Sequence, residues 1–209
     1  MPDSSYTAVH VLLDRSGSMR AIRSDVEGGL RPLIEDQRVQ PGRATLRFAQ
    51  FDHHYEVVHP SLFLDQVPMP ELHPRGRTAL LDAWGRAMTE FGEELAALPE
   101  EQRPANVIFV VVTDGAENAS REWTREQVLG MVREQTEKWG WTFLFLAANQ
   151  DAVAEGGKYG VPGAQSATYS HGASGAQSAF GSTSAAITRA RSGRGMAFTD
   201  AERREMRKP

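Results

Sequence analysis

The sequence predicts an α/β domain with a doubly wound, mostly parallel sheet of six strands in the order 3-2-1-4-5-6, with one antiparallel edge strand and helices on both faces. Two short, largely apolar runs that contain several β-branched residues, 7–13 and 107–113, are typical of buried parallel strands. Segments of helical character lie between the strand-like runs, as parallel sheets require. Hydrophobic residues make up 40% and charged residues 24% of the chain, so we expect an ordinary globular domain.

The other strands before residue 148 are predicted from the alternation of apolar and polar residues and from apolar composition. Residues 44–51 alternate apolar and polar side chains and continue through a turn-prone Asp-His-His sequence into residues 55–59. This pattern predicts a β-hairpin. A further apolar run predicts a strand over residues 141–147.

Three helices are predicted between these strands, over residues 20–39, 79–98 and 124–139. The first of them contains Gly28, Gly29 and Pro32, which have low helix propensity. We therefore expect a kink in this helix or its division into two shorter helices.

The composition changes after residue 148. Residues 149–194 are rich in Gly, Ala and Ser, and they contain a possible short strand at 167–170 and a small-residue helix at 176–190. The alternative is a flexible linker, because low-complexity composition often indicates disorder. We place a single domain at residues 1–190 and a basic, partly disordered C-terminal tail at residues 191–209.

Charge and composition exclude several function classes. A formal net charge of −4 and a pI near 5.9 give no electrostatic basis for binding nucleic acid or an anionic membrane. The chain has no cysteine, which excludes disulfides and thiolate metal sites and suits the cytoplasm. The first residues lack a basic region followed by an apolar one, so we expect no signal peptide. The apolar runs are far shorter than the roughly 20 residues that span a bilayer. We expect a cytoplasmic protein.

The end of the first strand carries Asp14, Ser16 and Ser18 in a DxSxS pattern. Ligands of doubly wound sheets bind at the carboxyl ends of the strands. Taken alone, such a pattern usually forms a turn and caps the next helix. Two further residues change this interpretation.

Thr78 lies directly before the predicted helix over residues 79–98, and Asp114 ends the second apolar strand. In the predicted strand order, the strands that end at Asp14 and Asp114 are neighbours, roughly 4.8 Å apart. Two adjacent carboxylates repel each other, and a bound cation relieves that repulsion. Hydroxyl and carboxylate oxygens are hard ligands, so we predict Mg²⁺ or Mn²⁺.

The motifs DRSGS, GRTAL and VVVTDG, in this order and spacing, resemble the complete metal-ion-dependent adhesion site (MIDAS) of von Willebrand factor type A (vWA) domains. The resemblance covers roughly residues 6–190. It implies a Rossmann-like fold in which Ser16, Ser18 and Thr78 are hydroxyl ligands and Asp14 and Asp114 bind directly or through water. The segments FLFLAANQDA and KYGVPG are similar to stand-alone bacterial members.

The resemblance also implies a non-enzymatic function, namely metal-dependent binding to an Asp or Glu of a protein partner, often in ATPase-linked or stress-response systems. One alternative is a Mg²⁺-dependent phosphatase of the haloacid dehalogenase type with Asp14 as nucleophile. That family needs a second Asp two residues after the nucleophile, and Ser16 occupies this position. A third interpretation is a structural subunit that the metal only stabilises.

Several other polar residues have simpler interpretations. Glu117 and Asn118 lie close to Asp114 in sequence and are expected to be ordinary loop groups rather than part of the metal rim. Asp151 is expected to cap a helix. His53 and His54 are adjacent in a predicted turn, where their side chains are expected to point opposite ways. They also have no third ligand nearby in sequence, so a solvated turn is favoured over a transition-metal site.

Overall fold

The computed structural model describes residues 1–208. Its six-stranded sheet has the order β3-β2-β1-β4-β5-β6, which confirms the predicted fold class. The strands are β1 (Asp3–Asp14), β2 (Arg43–Phe51), β3 (Tyr55–Phe63), β4 (Pro104–Thr113), β5 (Thr142–Ala148) and β6 (Ser166–Tyr169). The helices are α1 (Arg23–Arg38), α2 (Leu80–Ala96), α3 (Arg125–Trp139), α4 (Ala152–Lys158), α5 (Ala173–Arg191) and α6 (Asp200–Met206).

All neighbouring strands are parallel except β2 and β3, which form the predicted antiparallel hairpin at one edge. β1 lies between β2 and β4, so the DxSxS motif follows a central strand. Strand β6 belongs to the sheet, and helix α5 packs against one face of it. This excludes the flexible-linker interpretation of the segment.

The core has two layers, one on each face of the sheet. Alternate residues of β1 point to opposite faces, so Val11 packs with α1 and α5 while Leu12 packs with α2 and α3. Trp84 of α2 is fully buried in the second layer and stacks with Phe109 and Phe145. Within residues 1–208, no helix is both long and apolar enough to cross a bilayer.

Helix α1 is a single helix that includes Pro32, although the sequence predicts a kink or a division. A 3₁₀ turn, residues 17–22, precedes it. The low propensity of Gly29 is outweighed by packing, because a Cβ at this position would lie 2.4 Å from Cδ2 of Phe180 on α5. The glycine therefore allows the close approach of the two helices.

The C-terminal segment differs from the expected tail at residues 191–209. Met196, Phe198 and Met206 are buried in the core layer that contains α1 and α5. Thr199 forms a capping box with Glu202, which starts helix α6. The apolar residues are too widely spaced for the sequence pattern to reveal this packing, so the fold extends beyond residue 190. Pro209 lies outside the described residues.

Candidate metal centre

The predicted site residues lie at the carboxyl edge of the sheet. Asp14 is the last residue of β1, and Asp114 directly follows β4. The two strands are parallel neighbours, with Leu13 opposite Val112. The two carboxylates are therefore brought to the same edge, as the predicted strand order requires.

Asp14 is fully buried, and both of its carboxylate oxygens accept hydrogen bonds. The backbone N–H of Ser16 donates to Oδ1 over 2.6 Å, and Oγ1 of Thr113 donates to Oδ2 over 2.7 Å. Burial raises the pKa of Asp14 to about 6, these bonds oppose the shift, and the negative charge of Asp114 adds to it. A cation at this edge would favour the ionised form.

The three predicted hydroxyl ligands converge on one point. Oγ of Ser16 lies 3.1 Å from Oγ of Ser18, close to the ~3.0 Å that separates two adjacent oxygens bound to one Mg²⁺. A Cβ built on Gly115 would lie 3.1 Å from Oγ1 of Thr78, 3.7 Å from Oγ of Ser18 and 3.9 Å from Oγ of Ser16. The glycine leaves open the space around which these oxygens are arranged.

Asp114 completes this group. Its Oδ1 accepts a hydrogen bond from Oγ of Ser18 over 2.7 Å. Its Oδ2 is buried and has no hydrogen-bond partner among residues 1–208, an arrangement that costs free energy unless a ligand compensates it. Burial raises the pKa of Asp114, while the bond from Ser18 and the charge of His171 oppose the shift.

The donor set fits a hard divalent cation. It contains three hydroxyls and two carboxylates but no imidazole or thiolate, and such oxygen ligands suit a hard divalent cation. The part of the chain that the structure describes contains no cluster of three or more His, Cys, Asp or Glu side chains that could hold a metal. Any metal at this edge would therefore depend on the hydroxyl groups.

Thr78 is held in place by the loop that follows Asp114. Its backbone N–H donates to Oδ1 of Asn118 over 3.1 Å, and its carbonyl accepts from the Asn118 N–H over 3.0 Å. Glu117 accepts from the N–H of Leu81 in the first turn of α2. Both residues act as loop groups, as the sequence predicts, and Asn118 positions a candidate ligand.

Asp52 is a residue whose importance the sequence analysis missed. It directly follows β2, is fully buried, and accepts hydrogen bonds from Nε of Arg15 over 3.0 Å and Nε of Arg75 over 2.9 Å. Burial alone would raise its pKa, but the bonds from Arg75 and His54 and the charge of Arg15 lower it below the ordinary value. The available signal was an acidic residue at the end of a third neighbouring strand.

The other polar predictions have separate outcomes. Asp151 caps α4 by accepting from the N–H of Ala154 over 3.0 Å, as predicted. His53 and His54 are exposed and lie in the turn between β2 and β3. Their ring centroids lie 4.2 Å apart, so the expectation that the two side chains point opposite ways is wrong. Nδ1 of His53 lies 3.1 Å from Oδ1 of Asp52.

Comparison with known proteins identifies the fold. No known protein family matches the sequence, and no curated protein matches it either. Among solved structures, a von Willebrand factor type A protein from Catenulispora acidiphila is similar over 87% of this chain and 42% of its own, with 13% identity and a TM-score of 0.60. Proximal thread matrix protein 1 from the mussel byssus is similar over 89% of this chain and 46% of its own, with 13% identity and a TM-score of 0.59.

A second structure of the mussel protein, with a zinc-occupied MIDAS motif, is similar over 79% of this chain and 41% of its own, with 15% identity and a TM-score of 0.52. This chain spans less than half the length of these structures. At such identities the similarity shows the fold alone, which is that of vWA-type domains.

Proposed function

We propose that this chain is a metal-dependent protein-binding module of the vWA type with a complete MIDAS, similar to stand-alone bacterial members. Asp14, Ser16, Ser18, Thr78 and Asp114 would hold one Mg²⁺ or Mn²⁺ ion. The ion would bind the carboxylate of an Asp or Glu on a partner protein. The observation that carries this proposal is the arrangement of three hydroxyls around the Cβ position of Gly115, next to Asp114, which accepts a bond from Ser18 and keeps one buried oxygen without a partner among residues 1–208.

The balance of charge supports a role in binding a partner. Both oxygens of Asp14 are engaged by Ser16 and Thr113, which favours an indirect role for this carboxylate. With Asp14 acting through water, the ion is bound directly by three neutral hydroxyls and at most one carboxylate, which leaves part of its positive charge uncompensated. When bound, such an ion attracts an additional anionic oxygen ligand. Ser18 is exposed, so the centre is reachable from solvent.

The phosphatase alternative has less support. A nucleophilic carboxylate needs a free oxygen facing the substrate, whereas Asp14 is fully buried with both oxygens hydrogen bonded. Ser16 also occupies the position of the required acid/base. Incubation with a generic phosphate ester and Mg²⁺ tests this alternative directly. Turnover that disappears in Asp14→Asn would overturn the binding proposal.

The metal site itself can be tested by thermal unfolding with Mg²⁺ or Mn²⁺ and with EDTA. We expect the metal to raise the Tm, because it binds only the folded state, and we expect Thr78→Ala to abolish the increase. Thr183→Ala is a matched control, since Thr183 is also buried but donates to the carbonyl of Ala179 within α5 and is not a candidate ligand. Identical melting curves with metal and with EDTA would refute the proposal.

Partner binding requires a second experiment, which also separates recognition from a purely structural metal. The wild-type chain and Thr78→Ala are used to capture proteins from lysate in Mg²⁺ and in EDTA. We expect one or more proteins to be captured only by the wild type and only with Mg²⁺. A chain that binds the metal but captures nothing in a metal-dependent way would favour the structural-subunit interpretation.

A further inference from the structure

We propose that Asp52 is the positioning residue of this metal centre, in that it sets the distance between the Ser16/Ser18 loop and the Thr78 loop. This inference rests on the proposed metal-binding function. Asp52 is not itself a candidate ligand, since its two oxygens are directed to Arg15, Arg75 and the hairpin turn. Its role would be to hold the ligands that lie on other loops.

The two ligand loops are joined mainly through their backbones. The N–H of Arg75 donates to the carbonyl of Arg15 over 2.8 Å, and the N–H of Gly17 donates to the carbonyl of Gly76 over 3.1 Å. These bonds align the Ser16/Ser18 loop with the segment that leads to Thr78. Two hydrogen bonds between irregular loops do not by themselves fix side-chain positions to within a few tenths of an ångström.

Asp52 supplies the additional constraints. Its Oδ2 accepts from both Arg15 and Arg75, one from each ligand loop. Its backbone carbonyl accepts from the N–H of Ala79, the residue after Thr78, over 2.8 Å. Because it follows β2 in the sheet, Asp52 connects both loops to the rigid part of the fold.

The charge of Asp52 is as important as its position. Bonds between a carboxylate and guanidinium groups are about twice as strong as neutral ones. Arg15 is almost fully buried and has a second acidic partner, Glu56, whereas the only ion pair of Arg75 within residues 1–208 is with Asp52. Loss of the Asp52 charge would leave Arg75 mobile and add unbalanced positive charge near the cation.

The inference is tested with Asp52→Asn, which keeps the shape of the side chain and removes its charge. Groups that orient metal ligands typically contribute about 10–100-fold to metal affinity, so we expect the Kd for Mg²⁺, measured by calorimetry on folded protein, to rise at least 10-fold. Arg75→Gln, which changes an exposed side chain, should produce a smaller rise in the same direction and serves if Asp52→Asn does not fold.

The control is Glu202→Gln. Glu202 also binds an arginine, Arg189, and a backbone N–H, that of Thr199, but it lies in the C-terminal segment. We expect this variant to lower the Tm and to leave the Kd for Mg²⁺ unchanged. A purely structural role for Asp52 would give the same pattern in Asp52→Asn, and this result would overturn the inference.

Amide hydrogen exchange of the metal-free protein provides a readout that does not depend on metal. In Asp52→Asn we expect faster exchange at Gly17 and Arg75, whose N–H groups join the loops, and no such change in Glu202→Gln. Unchanged exchange together with an unchanged Kd would refute only the proposed role of Asp52 and would leave the proposed metal-binding function intact. A wild-type chain that binds no metal would instead refute the proposed function, and with it this inference.

Discussion

Gly115→Ala is the sharpest test of the convergent hydroxyls, because it adds one methyl group where they meet. The φ of Gly115 lies outside the left-handed region that favours glycine, so the added methyl group is tested by its contacts. The new Cβ would lie 3.1 Å from Oγ1 of Thr78, a tighter contact than usual. The Thr78 hydroxyl must therefore shift by a few tenths of an ångström.

The size of the effect follows from the coordination chemistry. Mg²⁺ requires nearly ideal octahedral geometry with distances of about 2.0–2.1 Å, so a displaced hydroxyl should weaken binding at least ~10-fold. At a metal concentration 100 times the wild-type Kd, binding stabilises the folded state by about 2.7 kcal/mol. For 209 residues this corresponds to a Tm increase of about 6 °C. In Gly115→Ala the increase should fall to about 3 °C or less.

The assay is thermal unfolding of both proteins at one fixed Mg²⁺ concentration and in EDTA. Gly130→Ala is the matched control, because a Cβ there meets nothing within 4 Å. Since Gly130 lies inside α3, the control should gain about 1–2 °C from helix propensity alone and keep the full increase with metal. A full increase in Gly115→Ala would show that the hydroxyls do not bind the ion together.

Three further predictions concern the fold. Gly29→Ala should destabilise the protein by about 1–3 kcal/mol, because its Cβ would lie 2.4 Å from Phe180. Gly28→Ala is the control: its Cβ would meet nothing within 4 Å, so it should stabilise the protein by about 0.5–1 kcal/mol. Chemical denaturation measures both changes. Burial, assisted by the charge of a nearby arginine, keeps the pKa of His10 well below its usual value of 6.5. The unfolded chain therefore takes up a proton below pH 6.5 that the folded chain does not, so stability should fall by about 2 kcal/mol between pH 7.5 and pH 5 through this residue, and His10→Leu should remove that part of the pH dependence. Phe198→Ala should cost about 3 kcal/mol, and a loss below 0.5 kcal/mol would mean that the C-terminal segment does not support the core.

The fold was predictable because its main signals are local. The apolar runs that became β1 and β4 needed only period and length to be recognised, and the hairpin needed only alternation and a turn. The C-terminal segment was not predictable in this way. Phe198 is an isolated aromatic residue in a basic, polar stretch, and its burial depends on a surface formed by α1 and α5, which are distant in sequence.

Some residues of the candidate site could likewise be predicted from the sequence, and others could not. Asp14 and Asp114 could be paired from the sequence, since strand order brings their strands together. Asp52 also ends a strand at this edge, but its partners Arg15 and Arg75 lie in two different loops. No periodic pattern relates residues in separate loops, so this network becomes visible only when the backbones of the loops are placed.

The hydrogen bonding of each carboxylate helps to distinguish a binding centre from a hydrolytic one at this kind of sheet edge. Both require acidic residues at the ends of neighbouring strands and a divalent cation, so strand topology alone cannot separate them. Asp14 is buried and its oxygens are engaged, whereas Ser18 is exposed and Asp114 retains one unpartnered oxygen. The accessible side of the centre therefore offers a hydroxyl and, in our proposal, a cation. In our proposal this surface binds an incoming carboxylate, and Asp14 has no free oxygen with which to attack a phosphate ester.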